Sequence, residues 1–261
     1  FNLLPSNTTI ESIFAPIQDD IISIISSGEI SYNVDNNWVG NLTEINSQDG
    51  YWVVTSNVAL IDIEGTMNEF NGYYLSPGSN LISYPFDECC EITDVIPDDI
   101  EECIYAIASE GVAALNTDNG WVGSLTALCP NDGYWFVNQC DDIEFTFDEP
   151  VSLARQQVLS LSPYPYQQSS QQAFYFVESV ENIEIGDWIL AYNGDEVVGA
   201  RQWQGSIIDV PAMGSDGSDY TKGYIEVGSV PSFKLLQDGE LINLEGDIPS
   251  WENNQLFMVS S

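Results

Sequence analysis

The stretch NVDNNWVGNLTEINSQDGYWVV, residues 33–54, returns later in the chain as NTDNGWVGSLTALCPNDGYWFV, residues 116–137. The two copies share Trp-Val-Gly, Leu-Thr and Asp-Gly-Tyr-Trp at matching places, 83 positions apart. A fixed internal period is typical of a duplicated structural unit whose copies have the same turns and the same core contacts. The sequence therefore predicts a modular protein in which residues 28–54 and 111–137 adopt one backbone shape.

A segment with helical spacing precedes each copy, TTIESIFAPIQDDIISIISSG in the first and TDVIPDDIEECIYAIASEG in the second. Pro16 and Pro97 predict a short helix followed by a longer one, which begins at a pair of aspartates favoured by the helix dipole. Gly28 and Gly111 stand where the end of a helix favours a positive φ. Each repeat is therefore expected to combine helices with strands.

The chain changes character from about residue 165, where short strand-like runs alternate with turn signals. Asn193-Gly194 and Asp238-Gly239 lie between apolar runs and are strong hairpin signals. About seven or eight strands at a spacing of roughly 8–12 residues are typical of a β-sandwich.

We therefore expect a mainly β protein with α+β character. It would consist of two tandem α+β repeat modules, residues 1–66 and 67–149, followed by an Ig-like β-sandwich with a leading linker, residues 150–261. The first module is shortened at its N-terminus relative to the second, because fewer residues precede its helical segment.

The charge balance restricts the partners. The sequence has 41 acidic and four basic residues, a formal net charge of −37, and the first basic residue is Arg155. Acids in the first 154 residues must be solvated, screened by salt or neutralised by bound cations such as Ca²⁺. Such a surface repels phosphates and anionic lipid, so no nucleic-acid partner is expected. No run of about 18 apolar residues occurs, and no membrane insertion is expected.

All five cysteines fall in the second copy of the repeat: Cys89, Cys90, Cys103, Cys129 and Cys140. Their clustering favours disulfides and an oxidising compartment. Zinc is disfavoured, because the chain has no histidine and no Cys-x-x-Cys pair. A strand over residues 134–140 would place Cys140 about 20 Å from Cys129, too far for a bond. We therefore expect Cys140 to pair with Cys89 or Cys90, and one cysteine to stay unpaired.

The absence of histidine also excludes Ser-His-Asp and Cys-His nucleophile systems. A glycosidase-type pair of carboxylates remains an alternative, but the sequence as a whole predicts that the chain is not an enzyme. In the acidic turn GSDGSDYT, Asp216 and Asp219 are candidate ligands of Ca²⁺, with a solvated loop as the alternative. Calcium is the candidate ion, and the sequence assigns no other cofactor.

Candidates for glycan contact are Trp38, Trp121, Tyr51 and Tyr134, because aromatic rings stack on sugars. Core packing is the alternative, since side chains alternate along a strand and one of each Tyr-Trp pair should face inward. Two Asn-x-Thr sequons begin at Asn7 and Asn41, and they would carry a glycan only if a eukaryotic host makes the protein.

The pattern NLISYPF, EGVAAL, GWVGSLTAL and GYWFV resembles a module that recurs in large secreted proteins of marine bacteria and in structural proteins of marine viruses. The segments ILAYNGDEVVGARQW, DVPAMGSDG and GYIEVGSVPSFKLL resemble a β-sandwich module that often accompanies it. This resemblance implies structural modules and transfers no catalytic residue.

These observations predict a non-enzymatic extracellular structural or assembly protein, part of a surface appendage, filament or virion exterior. Its partners would be further copies of itself or other surface or virion proteins. The alternative is an adhesin or carbohydrate-binding module of a larger secreted protein, with glycans as partners. In either case we expect the protein outside the cell, on a cell surface or on a virion surface.

Overall fold

The structure is a computed structural model that describes residues 3–67, 72–150, 154 and 160–260. Its α-helices are single turns: α1 (Ile10–Ile13), α2 (Ile92–Val95) and α3 (Asp98–Glu101). Strands dominate the described residues, so the prediction of a mainly β fold is confirmed. None of the helices in this part of the chain has the length and apolarity that a membrane span requires.

The described residues form 22 strands. Residues 3–67 contain β1 (Leu3–Leu4), β2 (Ile21–Ser26), β3 (Glu29–Val34), β4 (Asn37–Gly40), β5 (Trp52–Thr55) and β6 (Thr66–Met67). Residues 72–150 contain β7 (Tyr73–Leu75), β8 (Gly78–Ser83), β9 (Cys90–Glu91), β10 (Ile104–Ser109), β11 (Val112–Thr117), β12 (Gly120–Gly123), β13 (Ala127–Leu128), β14 (Gly133–Asn138) and β15 (Ile143–Phe145). Residues 160–260 contain β16 (Gln172–Val177), β17 (Trp188–Asn193), β18 (Glu196–Gln202), β19 (Ile208–Met213), β20 (Ser232–Gln237), β21 (Glu240–Leu244) and β22 (Leu256–Val259).

Two compact units share the chain. Unit 1 comprises Phe1–Ser109 and Ala127–Gln156, and unit 2 comprises Glu110–Thr126 and Gln157–Ser261. The predicted boundaries at residues 66/67 and 149/150 stay predictions. Parts of the predicted leading linker, residues 151–153 and 155–159, lie outside the described residues.

The first sheet of unit 1 has the antiparallel order β4-β3-β2-β5. One side of it is the inner side, where Ile21 and Ile24 pack with Ile10, Phe14 and Leu42 in one buried cluster. The helix α1 begins after Thr9, whose side chain accepts a hydrogen bond from the backbone N–H of Ser12.

The predicted longer helix of each repeat is wrong for most of its length. In the second repeat its first residues form the single turn α3, but the residues that follow in the two repeats form the strands β2 and β10. In β2 the sequence IISIIS is rich in isoleucine, whose restricted χ1 favours strands, and β2 pairs with a strand on each side. Gly28 has φ 74° in the tight turn between β2 and β3, so it turns a hairpin and does not end a helix.

Strand pairings recur at a shift of 83 residues. Ile24 faces Val53 between β2 and β5, and Ile107 faces Phe136 between β10 and β14. A register irregularity precedes each pair, between Ile21 and Ser23 in the first case and between Ile104 and Ala106 in the second. The pairing of β3 with β4 has the same register as that of β11 with β12. These equal registers concern individual strand pairs. The existence of two tandem modules stays a prediction.

Unit 1 also contains an aromatic cluster that joins several short strands. Antiparallel pairs form between β8 and β14, β9 and β13, β7 and β15, and β1 and β6. Phe147 lies edge-on to Tyr73, Tyr84, Phe136 and Phe145, with ring centroids 5.0–6.0 Å apart.

Unit 2 has a sandwich-like arrangement of two sheets, β19-β16-β22 and β18-β17-β20-β21. Among its described strands, β16 and β22 pair in parallel and the other pairs are antiparallel. Alternate residues of both sheets share one buried core, which includes Tyr175, Ile189, Val210 and Phe233. Both predicted hairpins are confirmed, since β17 pairs with β18 and β20 with β21.

The strand order of this sandwich is not that of an Ig domain. In the seven-stranded Ig arrangement the first, second, fifth and fourth strands form one sheet and the other three form the second. Among the seven described strands β16–β22, the first, fourth and seventh form one sheet and the other four form the second. The Ig-like part of the prediction is therefore corrected, because the two hairpins stay within a single sheet.

The predicted disulfide pairing is also wrong. Cys89 bonds to Cys129 and Cys103 bonds to Cys140, with Cα atoms 4.1 and 5.2 Å apart, while Cys90 is unpaired and buried. Each bond lies at an end of two paired strands, β9 with β13 and β10 with β14. The two disulfides indicate an oxidising environment.

Candidate functional site

The repeated Asp-Gly-Tyr-Trp motif closes a loop through its tyrosine hydroxyl. In the first copy the backbone N–H of Asn46 donates to the hydroxyl oxygen of Tyr51 at 2.8 Å, and this hydroxyl lies 3.4 Å from Asp49 Oδ2. In the second copy the N–H of Cys129 donates to Tyr134 at 2.6 Å, and Asp132 lies 3.4 Å away. The tyrosine of the motif therefore provides a hydrogen-bond acceptor for a backbone N–H group of its own loop.

Electrostatics at both loops agree with this structural role. Burial raises the pKa of the Tyr51 and Tyr134 hydroxyls far above their ordinary value, so both stay protonated and can donate. Burial also raises the pKa of Asp49 and Asp132, although hydrogen bonds from the tyrosines oppose this shift.

The predicted glycan contacts divide into two groups. Tyr134 is 1% exposed, which leaves no ring face for a sugar, and Trp38 packs against Phe14 in the core with centroids 6.4 Å apart. Tyr51 and Trp121 are half-buried. In unit 1, Trp38 packs against the core, and Tyr51 and Tyr134 close their loops. Glycan contact at the four aromatic residues stays a prediction.

Both sequon asparagines are exposed, but their side-chain oxygens serve local turns. Asn7 Oδ1 accepts from the N–H and the hydroxyl of Thr9. Asn41 Oδ1 accepts from the backbone N–H of Ile30 at 2.9 Å. Glycosylation at either residue stays a prediction.

The predicted calcium turn is organised around Asp216 alone. Its carboxylate accepts from the hydroxyl and N–H of Ser218 and from the hydroxyl of Thr221, whereas Asp219 is exposed. Partial burial acts to raise the pKa of Asp216, but these hydrogen bonds outweigh it and the pKa lies below its ordinary value. No group of three or more acidic or cysteine side chains in the described ranges could hold a metal ion. Calcium binding at this turn stays a prediction.

A buried ion pair in unit 2 was not predicted. Arg201 Nη2 lies 2.9 Å from Asp209 Oδ2, and the two side chains are 5% and 0% exposed. Asp209 also accepts from the N–H of Ala113 at 3.2 Å and from the N–H and hydroxyl of Ser124 at 2.5 and 2.9 Å. Arg201 donates to the carbonyl of Gly111 at 2.5 Å.

This centre holds the hairpin β11–β12 against β19 within unit 2. Burial raises the pKa of Asp209, but the Arg201 charge and the Ser124 donors stabilise its ionised form. The sequence offered one signal, an arginine inside the apolar strand β18, because a buried arginine requires an acidic partner.

A cavity of about 450 Å³ in unit 2 combines aromatic and polar side chains. Its lining includes Tyr166, Trp188, Ser160, Ser162, Gln202 and Gln204. Ser160 donates to Gln202 Oε1 at 2.6 Å, and Gln202 Nε2 donates to the carbonyl of Gly186 at 2.9 Å, so the polar wall is fixed. The volume and mixed lining are typical of small-ligand sites.

A second cleft, of about 690 Å³, lies in unit 1 and is acidic. Its carboxylates belong to Asp49, Asp99, Glu144 and Asp148. Asp49 serves the Tyr51 loop, as described above. That the chain is not an enzyme stays a prediction.

The side of the first sheet opposite its core is apolar and partly exposed. We call it the outer face of the first sheet and define it by Ile25, Ile30, Tyr32, Val34, Val39 and Trp52. Tyr32, Val34 and Val39 are 50%, 53% and 58% exposed. The face contains no charged side chain on a chain whose net charge is −37, which makes it the candidate interaction surface.

Comparisons of the chain with family models, with curated proteins and with solved structures found no match.

Proposed function

We propose that this chain is a non-enzymatic extracellular structural protein, part of a surface appendage, filament or virion exterior, whose tandem modules act as spacers and lateral contacts. The observation that carries the proposal is the outer face of the first sheet. Uncharged apolar surface of this kind is typical of protein–protein contacts, and this one lies on an otherwise strongly acidic molecule. Two disulfides support a location in an oxidising environment.

The chemistry of the chain supports assembly that depends on salt. Like charges that oppose each other across an interface are costly, so acidic copies associate only through neutral surface, bound cations or screened contacts. Self-association should therefore strengthen in seawater-like salt and weaken in dilute buffer with EDTA.

Light scattering in these two buffers tests the proposal. We expect a mass well above the 28.9 kDa of one chain in the salt buffer, with regular filaments or particles in negative-stain electron microscopy. A monomer in both buffers would contradict self-assembly as the function.

The second candidate function is glycan binding, and the unit 2 cavity favours it. Trp188 and Tyr166 provide aromatic surface beside the fixed amide of Gln202, a combination that suits stacking and hydrogen bonding to a sugar. A glycan array should then retain wild-type protein and lose Trp188→Ala, in the presence of EDTA. Tyr220→Ala is the control, because Tyr220 is 42% exposed and does not line the cavity.

A further inference from the structure

We propose that the outer face of the first sheet binds the same face of a second copy of this chain, and that the two sheets stack about a two-fold axis. This inference rests on the proposed assembly function and names its partner. Two-fold pairing through one shared patch is the commonest form of self-association.

The geometry of the face suits sheet stacking. Across β2, β3 and β4, Ser23 pairs with Tyr32 and Tyr32 pairs with Val39. One row further along, Ile25 pairs with both Ile30 and Trp52. Directly paired residues share one side of a sheet, so these side chains lie on one side across four strands, and all of them except the buried Ser23 are apolar.

The second copy of the repeat shows how such a surface is used. At the shift of 83 residues, Ile30 and Tyr32 correspond to Ala113 and Leu115 in β11. These two residues are 0% and 3% exposed in unit 2, where β11 and β12 lie against β19. The same side of the same hairpin is thus a buried packing surface in one copy and an exposed one in the other.

The backbone N–H groups of Ala113 and Ile30, which correspond in the two copies, donate to different acceptors. The N–H of Ala113 donates to Asp209, whereas the corresponding N–H of Ile30 donates to Asn41 within its own sheet. The first sheet therefore needs no carboxylate from a partner. What it presents is neutral and apolar, and its side chains at these positions are larger than those of the second copy.

A second copy of the chain offers a partner surface that is likewise neutral and apolar, namely its own outer face. Its acidic surface repels another copy everywhere that charge opposes charge, so contact is favourable only where both partners are uncharged. The outer face provides such surface on both partners. The exposed acids next to it in sequence, Glu29 and the turn residue Asp35, are screened by salt. Stacked sheets of this kind pack about 10 Å apart with interdigitating side chains.

The test is the molar mass of the full chain by size-exclusion chromatography with light scattering, at high and low salt, for wild type and for Tyr32→Ser/Val39→Ser. We expect the wild type to associate at high salt and the double variant to dissociate, with a dissociation constant raised about a hundredfold. Val58→Ser/Leu60→Ser is the matched control, because these side chains are 104% and 83% exposed and lie outside the face. It should associate as the wild type does.

The results distinguish a wrong contact surface from a wrong assembly function. If the double variant keeps the wild-type mass, this face is not the contact, and the assembly function stands on some other surface. If the wild type is a monomer at high salt, both the second copy as partner and the assembly function are wrong. All four substituted side chains are largely exposed, so both variants should have the melting temperature of the wild type. The thermal melts also show whether a loss of association results from unfolding.

Discussion

A single hydroxyl group closes the loop of each repeat, and its loss should be measurable. Tyr134→Phe leaves the buried N–H of Cys129 without its acceptor, which should lower the free energy of unfolding by about 1–3 kcal/mol. Tyr51 is less buried, so Tyr51→Phe should cost less. Urea denaturation gives these values, and the exposed Tyr220→Phe should lie within about 0.5 kcal/mol of wild type. Equal stability of Tyr134→Phe and Tyr220→Phe would contradict the role of the hydroxyl.

The Asp216 carboxylate should make stability depend on acidity. Its pKa is lowered in the folded state, so its contribution is present above the unfolded pKa of about 3.9 and is lost as pH falls through the folded value. Asp216→Asn should therefore be less stable than wild type at pH 7, by about 1 kcal/mol, and the difference should close below about pH 4. Asp195→Asn, in the exposed turn between β17 and β18, is the control. A difference that is constant with pH would exclude this account.

At the scale of elements, one glycine of the repeated motif is needed for close packing and its counterpart is not. A Cβ on Gly50 would lie 2.8 Å from the carbonyl oxygen of Ile82 and from the Leu81 side chain, whereas the nearest atom to a Cβ on Gly133 is 3.6 Å away. Gly50→Ala should therefore cost about 1–3 kcal/mol of unfolding free energy. Gly133→Ala should be neutral or slightly stabilising, because it restricts the unfolded chain. The reverse order of the two midpoints in urea would refute this packing.

The disulfides connect strand ends, and their removal should loosen unit 1. Peptide mapping without reduction should recover Cys89 with Cys129 and Cys103 with Cys140. Cys90 is buried, so it should react with iodoacetamide only after denaturation. Cys103→Ser/Cys140→Ser should lower stability by about 2–4 kcal/mol, while Cys90→Ser keeps both bonds and serves as the comparison. A Cys140 peptide linked to Cys89 or Cys90 would restore the pairing expected from sequence.

Elements set by local chemistry were predictable, and those decided by tertiary pairing were not. The hairpin at Asp238-Gly239 follows from residues that accept positive φ, here 51° and 84°. The sequence predicts a helix where β10 lies, because its apolar spacing fits both the helical and the strand period. Only the pairing of β10 with β14 decides between the two. A helix at this place gives no reason to pair Cys103 with Cys140. The pairing of β10 with β14 does, because the two cysteines lie next to the paired ends of these strands. Asp209 needs donors 85 and 96 residues away, which no local pattern reveals.

For the whole molecule, repulsion among the acidic side chains lowers the stability of the folded state, and added salt should weaken this repulsion. The described residues contain one ion pair, Arg201 with Asp209, on a chain with 41 acidic residues. Raising NaCl from about 10 mM to about 0.5 M shortens the screening length from roughly 30 Å to below 8 Å, and the melting temperature should rise by at least about 3 °C. Near pH 4 many carboxylates are protonated, so the effect should shrink there. Differential scanning calorimetry measures both, and a melting temperature that falls with NaCl at pH 7 would contradict the argument.

The centre formed by Asp209 also determines when unit 2 can be completed during synthesis. The hairpin β11–β12 leaves the ribosome before Asp209 has been translated, since Ala113 and Ser124 precede it by 96 and 85 residues. At about 5–20 residues per second, the hairpin waits roughly 4–20 s for its acceptor. Throughout that interval Leu115 is not yet packed against β19. A ribosome that stalls before the codon of Asp209 therefore holds a nascent chain whose apolar strand pair is exposed to chaperones and proteases.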